Sequence, residues 1–226
     1  MIENPRAFFT QQEKLDIDAA VAKAEKSTSG EIVPVLAARA DDYPAGRYHA
    51  GITFAILATF VLVAANLAAA EMGWEYSQGP WTVPLWALLP AQFAALLVGY
   101  HLAARSWNLQ RAFLPQALLQ KRVAIEARRA FHDLELHKTT GSTGIMLYVS
   151  LFERVAIVVA DKAIATKHNQ QTWDGVRDLL IAGLKTGHSA KGFTDAIAEC
   201  GRILSKDFPP SAENPNELPN ELRVVG

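Results

Sequence analysis

The sequence predicts an α/β fold, a small mixed-sheet sandwich interrupted by a transmembrane helical hairpin. Three observations predict it. Residues 50–104 contain only two charged side chains, Glu71 and Glu75, while 43 of the 45 charges lie in the other 171 residues. That interval holds two long uncharged runs in succession. On either side of it, short β-rich segments alternate with helix-patterned ones, as in α/β domains. The formal net charge of −1 gives no electrostatic case for a nucleic-acid partner, and the single Cys200 excludes an internal disulfide framework and most cysteine-based metal sites.

The chain opens with a helix signal. Thr10-Gln11-Gln12-Glu13 is a capping box, followed by Ile17, Ala20, Val21 and Ala24 at helical spacing. Ser27-Thr28-Ser29-Gly30 stops that helix. Glu31 to Leu36 reads as a strand, which Pro34 demotes toward an edge or a bend.

Ala50 to Ala70 is uncharged for 21 residues and Trp81 to Ala104 for 24. About 20 helical residues cross a bilayer core, and in hydrocarbon the backbone must satisfy its own hydrogen bonds. Pro84 fits a first turn, and Pro90 predicts a kink. Trp74, Tyr76, Trp81 and Trp86 surround the connection, where amphipathic rings favour the interface. The connection Glu71–Pro80 has no Lys or Arg. The flanks carry Arg39, Arg47, Arg105, Arg111, Lys121 and Arg122, which places both ends in the cytoplasm. Gln92 matches Thr59 in depth, and a hydrogen bond between them would add about 1 kcal/mol to helix packing. With no Asp, Glu, Lys or Arg inside either run, an ion pathway lacks its usual marker, and His101, near the inner end, reads as an interfacial side chain.

Beyond the hairpin, residues 105–114 read as an interfacial continuation broken by Pro115, and Gln116 to Lys138 as an amphipathic helix. Its Lys121, Arg122, Arg128 and Arg129 form a solvated face near anionic lipid rather than a nucleic-acid patch. Gly144–Leu151 and Val155–Ala160 are apolar strands joined by a short turn at Phe152-Glu153-Arg154, with Glu153 and Arg154 an exposed pair. Asp161 can cap a short helix, Thr172 another that closes at Gly187, and Ser189 opens a last one. From Pro209 the composition turns to Pro, Asn and Glu, so residues 209–226 are expected to be disordered.

Neither flank can bury a core alone. One sheet results if the Glu31–Leu36 strand joins the later hairpin in parallel, through a crossover containing residues 116–138. The domain map is then residues 1–40 and 105–208 as one split domain, with residues 50–104 inserted between them.

The residues also resemble a family. Glu25-Lys26-Ser27-Thr28-Ser29-Gly30-Glu31-Ile32 is similar to the opening of the TPM domain, named for a thylakoid lumen protein, a photosystem repair protein and an acetylcholine-receptor modulator. Thr139 to Ile145, followed by Leu147 to Arg154, resembles that domain's central hairpin. Ala160 to Ile164, Trp173 and the stretch from Gly192-Phe193 to Cys200-Gly201 extend the likeness over most of residues 10–208 outside the membrane runs. It resembles the bacterial membrane-anchored branch, in which two spans interrupt the domain. The resemblance implies a compact α/β sandwich, usually tethered to a membrane. Some members are acid phosphatases, calcium is associated with the fold, and others are accessory or assembly factors for membrane complexes. Here Thr143-Gly144 replaces the acidic Asp-Asn-Gly segment of the phosphatase-like branch.

Few residues offer chemistry. Glu31 is a candidate metal ligand or base, or else a strand-entry residue. Asp161, at the carboxyl end of a strand, is a candidate ligand or a helix cap. Asp133 is a third acid for a phosphatase reading. His132, Asp133, Glu135 and His137 look like a ligand cluster. Side chains five apart on a helix, however, diverge by about 140°, so the two His cannot share an ion unless the helix ends between them. Trp173 reads as a core anchor. Gly141–Gly144 lacks the Lys and following helix of a phosphate loop. The expected function is a non-catalytic interaction or assembly module of the bacterial inner membrane, with the lipid bilayer and other membrane proteins as partners. The alternatives are a metal-assisted acid phosphatase and, third, a channel or transporter subunit. No cofactor is expected beyond a divalent cation, calcium or magnesium, which the resemblance alone suggests.

Overall fold

Thr10 caps the first helix, α1 (Gln11–Glu25), and its box with Glu13 is complete: each side chain bonds the other's backbone N–H. Ile17, Val21 and Ala24 form the buried stripe. The chain then enters β1 (Glu31–Ala37), buried at every position. The computed structural model describes residues 5–71, 75–76, 79–80, 85–210 and 216–225. It divides into two units, Met1–Asp41 with Ala117–Gly226, and Asp42–Gln116.

The first unit holds a four-stranded mixed sheet. β4 (Gly144–Ser150) pairs with β1 in parallel, Glu31 opposite Gly144 through Ala37 opposite Ser150. β5 (Val155–Ala160) pairs antiparallel with β4. The fourth strand, β6 (Arg223–Val225), lies parallel to β1 on its other edge. It comes from the stretch expected to be disordered, so that expectation is corrected for these residues. Composition predicts disorder because the tail cannot bury a core of its own, but it can borrow the edge of an existing sheet. β6 reaches only Val35–Ala37. The ladder stops where Pro34 has no N–H to give, so the proline sits on a strand side that needs no donor.

Helices cover both faces. α1, α7 (Asp174–Thr186) and α8 (Ser189–Asp207) bury Ile32, Leu36, Ile145 and Leu147 together with Trp173 and Phe193. α7 closes at Gly187, whose φ of 76° is the left-handed C-cap that glycine supplies. α7 and α8 meet at Gly183 and Gly192, where an added Cβ on Gly183 would lie 2.7 Å from the Gly192 Cα. The opposite face carries α5 (Gln116–Asp133), whose Val123, Ala127, Ala130 and Phe131 pack on Val33, Val35, Met146 and Tyr148. α5 ends at Asp133 rather than running to Lys138. Glu135 takes a left-handed φ of 61°, and Leu136–Lys138 forms a 3₁₀ turn. α6 (Lys162–Lys167) follows β5.

The second unit contains α2 (Pro44–Glu71), α3 (Leu85–Arg105) and α4 (Trp107–Ala112). α2 begins six residues before the uncharged run because Pro44 supplies a pre-set φ for a first turn. Between α2 and α3, β2 (Glu75–Tyr76) pairs with β3 (Gly79–Pro80). Trp74, Trp81 and Pro84 lie outside the described residues. Pro44–Ala68 and Trp86–Arg105 are long and apolar enough to cross a membrane. They are not core helices of this unit: Ile56, Phe60, Val61, Leu67, Trp86, Leu89 and Phe93 are each more than half exposed. The two helices pack through small residues, with a Cβ on Gly51 falling 2.8 Å from the Leu96 carbonyl and one on Gly99 2.8 Å from Phe54. Gln92 Nε2 donates to Thr59 Oγ1 at 2.8 Å, the pair expected from depth. Gln110, buried on α4, donates to the carbonyls of Asp42 and Tyr43 at 2.9 Å. Residues 105–116 thus belong with the hairpin unit rather than with the sheet.

Candidate functional site

Two of the three acids singled out by sequence, Glu31 and Asp161, meet at one end of the sheet. Glu31 opens β1 opposite Gly144, and the Asp161 N–H donates to the Gly144 carbonyl at 2.9 Å. Opposed residues share a face, so Glu31, Gly144 and Asp161 form one row on the α5 side. The row is not an open cleft. A Cβ on Gly144 would lie 2.6 Å from the Leu136 carbonyl, so the Leu136 backbone fills the middle position between the two acids. Asp161 lies at the carboxyl end of β5, but at the amino end of the parallel pair β1 and β4. The opposite end is the one where parallel sheets usually take ligands.

Each acid has a structural task. Asp161 is the N-cap of α6, its Oδ1 accepting from the Lys162 N–H at 2.7 Å, while its Oδ2 is buried without a hydrogen-bond partner among the described residues. Glu31 is 5% exposed, and its carboxylate accepts from the backbone N–H groups of Glu217 at 3.5 Å and Leu218 at 3.3 Å. Burial raises its pKa, the two N–H donors oppose the rise, and the Glu217 charge adds to it. Asp133 lies outside the row, on the last turn of α5, exposed and paired with Arg129 at 3.5 Å.

Sequence reasoning missed Glu25. It ends α1, is buried, and accepts from the Ile32 N–H at 2.9 Å. Burial pushes its pKa up to about 8, against the lowering effect of that N–H and with a further rise from Glu31. The signal was present: Glu25 stands four residues after Val21, on the apolar stripe of the helix. Glu153 was read as an exposed turn residue and is corrected. It is 1% exposed, accepting from the Ala40 N–H at 2.8 Å and from the Ser150 hydroxyl. A turn beside a second chain segment is covered by it, which local sequence does not record.

The buried carboxyl groups thus act on backbone amides. Glu25 fastens the entry of β1 to α1, Glu31 fastens the tail to the sheet, and Glu153 ties the β4–β5 turn to the exit of β1. Among the described residues, no group of three or more His, Cys, Asp or Glu side chains could hold a metal ion. A shallow cleft of about 440 Å³ lies elsewhere, lined by Arg6, Lys14, Leu134 and Glu221–Val225 along the outer side of β6. Trp173 is buried in the core, edge-on to His168 at 5.6 Å.

No protein-family model and no curated protein matches the chain. Among solved structures, it is similar to the NMR structure of the BA42 protein from the psychrophilic bacterium Bizionia argentinensis. The TM-score is 0.57 at 20% identity, over 98% of this chain and 99% of that one. At that identity the likeness concerns the fold alone.

Proposed function

We propose that this chain is a membrane-anchored, TPM-like α/β module that serves as a non-catalytic interaction or assembly factor for a membrane complex. Its hairpin crosses the inner membrane twice, with both termini and the sheet unit on the cytoplasmic side. One observation carries the reading: the large apolar side chains of α2 and α3 face outward, where only lipid or another protein could cover them. The carboxylates support its non-catalytic half. Glu25, Glu31 and Glu153 are occupied by backbone amides, and hydrolysis of a phosphomonoester needs an activated nucleophile or metal-bound water beside a cationic oxyanion site.

The rival reading is a metal-assisted acid phosphatase using Glu31 and Asp161, and the buried, unpartnered Asp161 Oδ2 is the observation in its favour. The two readings separate in one assay. Purified full-length protein in detergent, given para-nitrophenyl phosphate with calcium or magnesium, should release no phosphate above a buffer blank. Release that Asp161→Asn abolishes, with the circular dichroism spectrum unchanged, would install the phosphatase instead. Topology is tested separately: protease added outside intact spheroplasts should leave residues 117–225 uncut, and digestion of that segment would reverse the orientation.

A further inference from the structure

We propose that His132 and His137 form a two-imidazole site for a borderline divalent transition ion, with Zn²⁺ as its reference occupant. The condition that such a pair must meet is that the helix end between them, and it does. α5 stops at Asp133, Glu135 turns the chain through its left-handed φ of 61°, and His137 lies in the 3₁₀ turn that follows. The two rings come together with centroids 5.1 Å apart and planes 54° apart. On a tetrahedral zinc ion with Zn–N bonds of about 2.0–2.1 Å, two imidazole centroids stand about 5 Å apart. Both side chains are exposed, so an ion can reach them.

The neighbouring charges define the coordination. Glu135 is held by Lys138 at 2.6 Å and Asp133 by Arg129 at 3.5 Å. These carboxylates offset nearby cations instead of completing a protein cage, so water supplies the remaining ligands. Two imidazoles select zinc, copper or nickel over calcium and magnesium, which prefer oxygen. The site therefore differs in kind from any oxygen-ligand site at Glu31 and Asp161. An ion there would tie the end of α5 to the segment whose Leu136 carbonyl fills the space over Gly144, and would stabilise the folded state by binding it alone.

The test uses untagged full-length protein in detergent micelles. Calorimetric titration with Zn²⁺ should show one saturable site, and Zn²⁺ should raise the unfolding temperature. Millimolar Ca²⁺ or Mg²⁺ should not compete. His132→Ala and His137→Ala should each weaken Zn²⁺ binding by more than the roughly tenfold that loss of even an outer hydrogen-bond partner costs a metal site. Both positions are exposed, so the metal-free variants should keep the parent's circular dichroism. Electron paramagnetic resonance of bound Cu²⁺ should report two nitrogen ligands, falling to one in either variant. Wild-type affinity in either variant, a single nitrogen in the parent, or no saturable Zn²⁺ binding would each overturn the site.

Discussion

Glu25 and Gly144 show how single residues set the sheet's amino end. Glu25 holds its proton in the folded protein up to about pH 8 and releases it near its ordinary 4.5 once unfolded. Between those values the folded state binds more protons, so stability falls as pH rises through the window and its contribution is complete only below it. Thermal unfolding in detergent should therefore show a lower midpoint at pH 9 than at pH 6. Glu25→Gln keeps an acceptor for the Ile32 N–H and should flatten that slope; a slope unchanged in the variant would assign it to other groups. Gly144 answers to packing instead. Its missing Cβ leaves the space that the Leu136 carbonyl takes, so Gly144→Ala must displace main chain rather than a flexible side chain. The expected loss is about 1–3 kcal/mol, typical of overpacking. A denaturation midpoint within error of the parent would show that the 3₁₀ turn yields freely.

At the scale of elements, legibility follows how locally each one is determined. The capping box, the apolar runs of β4 and β5 and the glycine that ends α7 are local signals, and each element stands where its signal is. The Gln92–Thr59 bond was legible because depth along two paired helices is simple arithmetic. The end of α5 was missed because His132 to Lys138 contains no Gly or Pro, and only the left-handed Glu135 stops the helix. β6 was missed for another reason. Its order is supplied by distant residues: Val35–Ala37 pair with it, Glu31 receives two amides of the tail, and Asp18 Oδ1 accepts the Leu222 N–H at 3.2 Å. The candidate site was legible as a set of acids and illegible as an arrangement, since register alone aligns Glu31 with Asp161 and a backbone carbonyl alone separates them. Deleting residues 211–226 should therefore bare the β1 edge and take away the two amides that Glu31 accepts from. The truncated protein should unfold at lower temperature and scatter light at concentrations where the parent stays clear, because a bare apolar edge invites pairing. Unaltered melting and solubility would show that the strap adds nothing to the sheet.

For the whole molecule, the question is whether a domain split by residues 42–116 depends on what splits it. Its two parts share their cores: β1, from the first part, lies between β4 from the second and β6 from the tail, and α1 packs on α8. Residues 1–41 alone bring one helix and one strand, too little to fold, and as a peptide they should give the circular dichroism of a disordered chain. Joined to residues 117–226 they have what a core needs. The ends to be joined are close, since Asp41 pairs with Arg122 at 3.2 Å and Ala117 lies five residues, or about 7.5 Å of helix, before that arginine. A flexible Gly/Ser linker of about eight residues spans on the order of 15 Å, enough to close that gap. With α2 and α3 removed, the exposed aliphatic and aromatic surface goes almost entirely with them, leaving mainly Leu15 and Ile125 among the exposed large apolar residues described. The shortened protein should accordingly be soluble without detergent, unfold in one cooperative transition and keep Trp173 in an ordered near-ultraviolet signal. A chain that precipitates or melts without cooperativity would mean that the sheet unit needs the hairpin to fold.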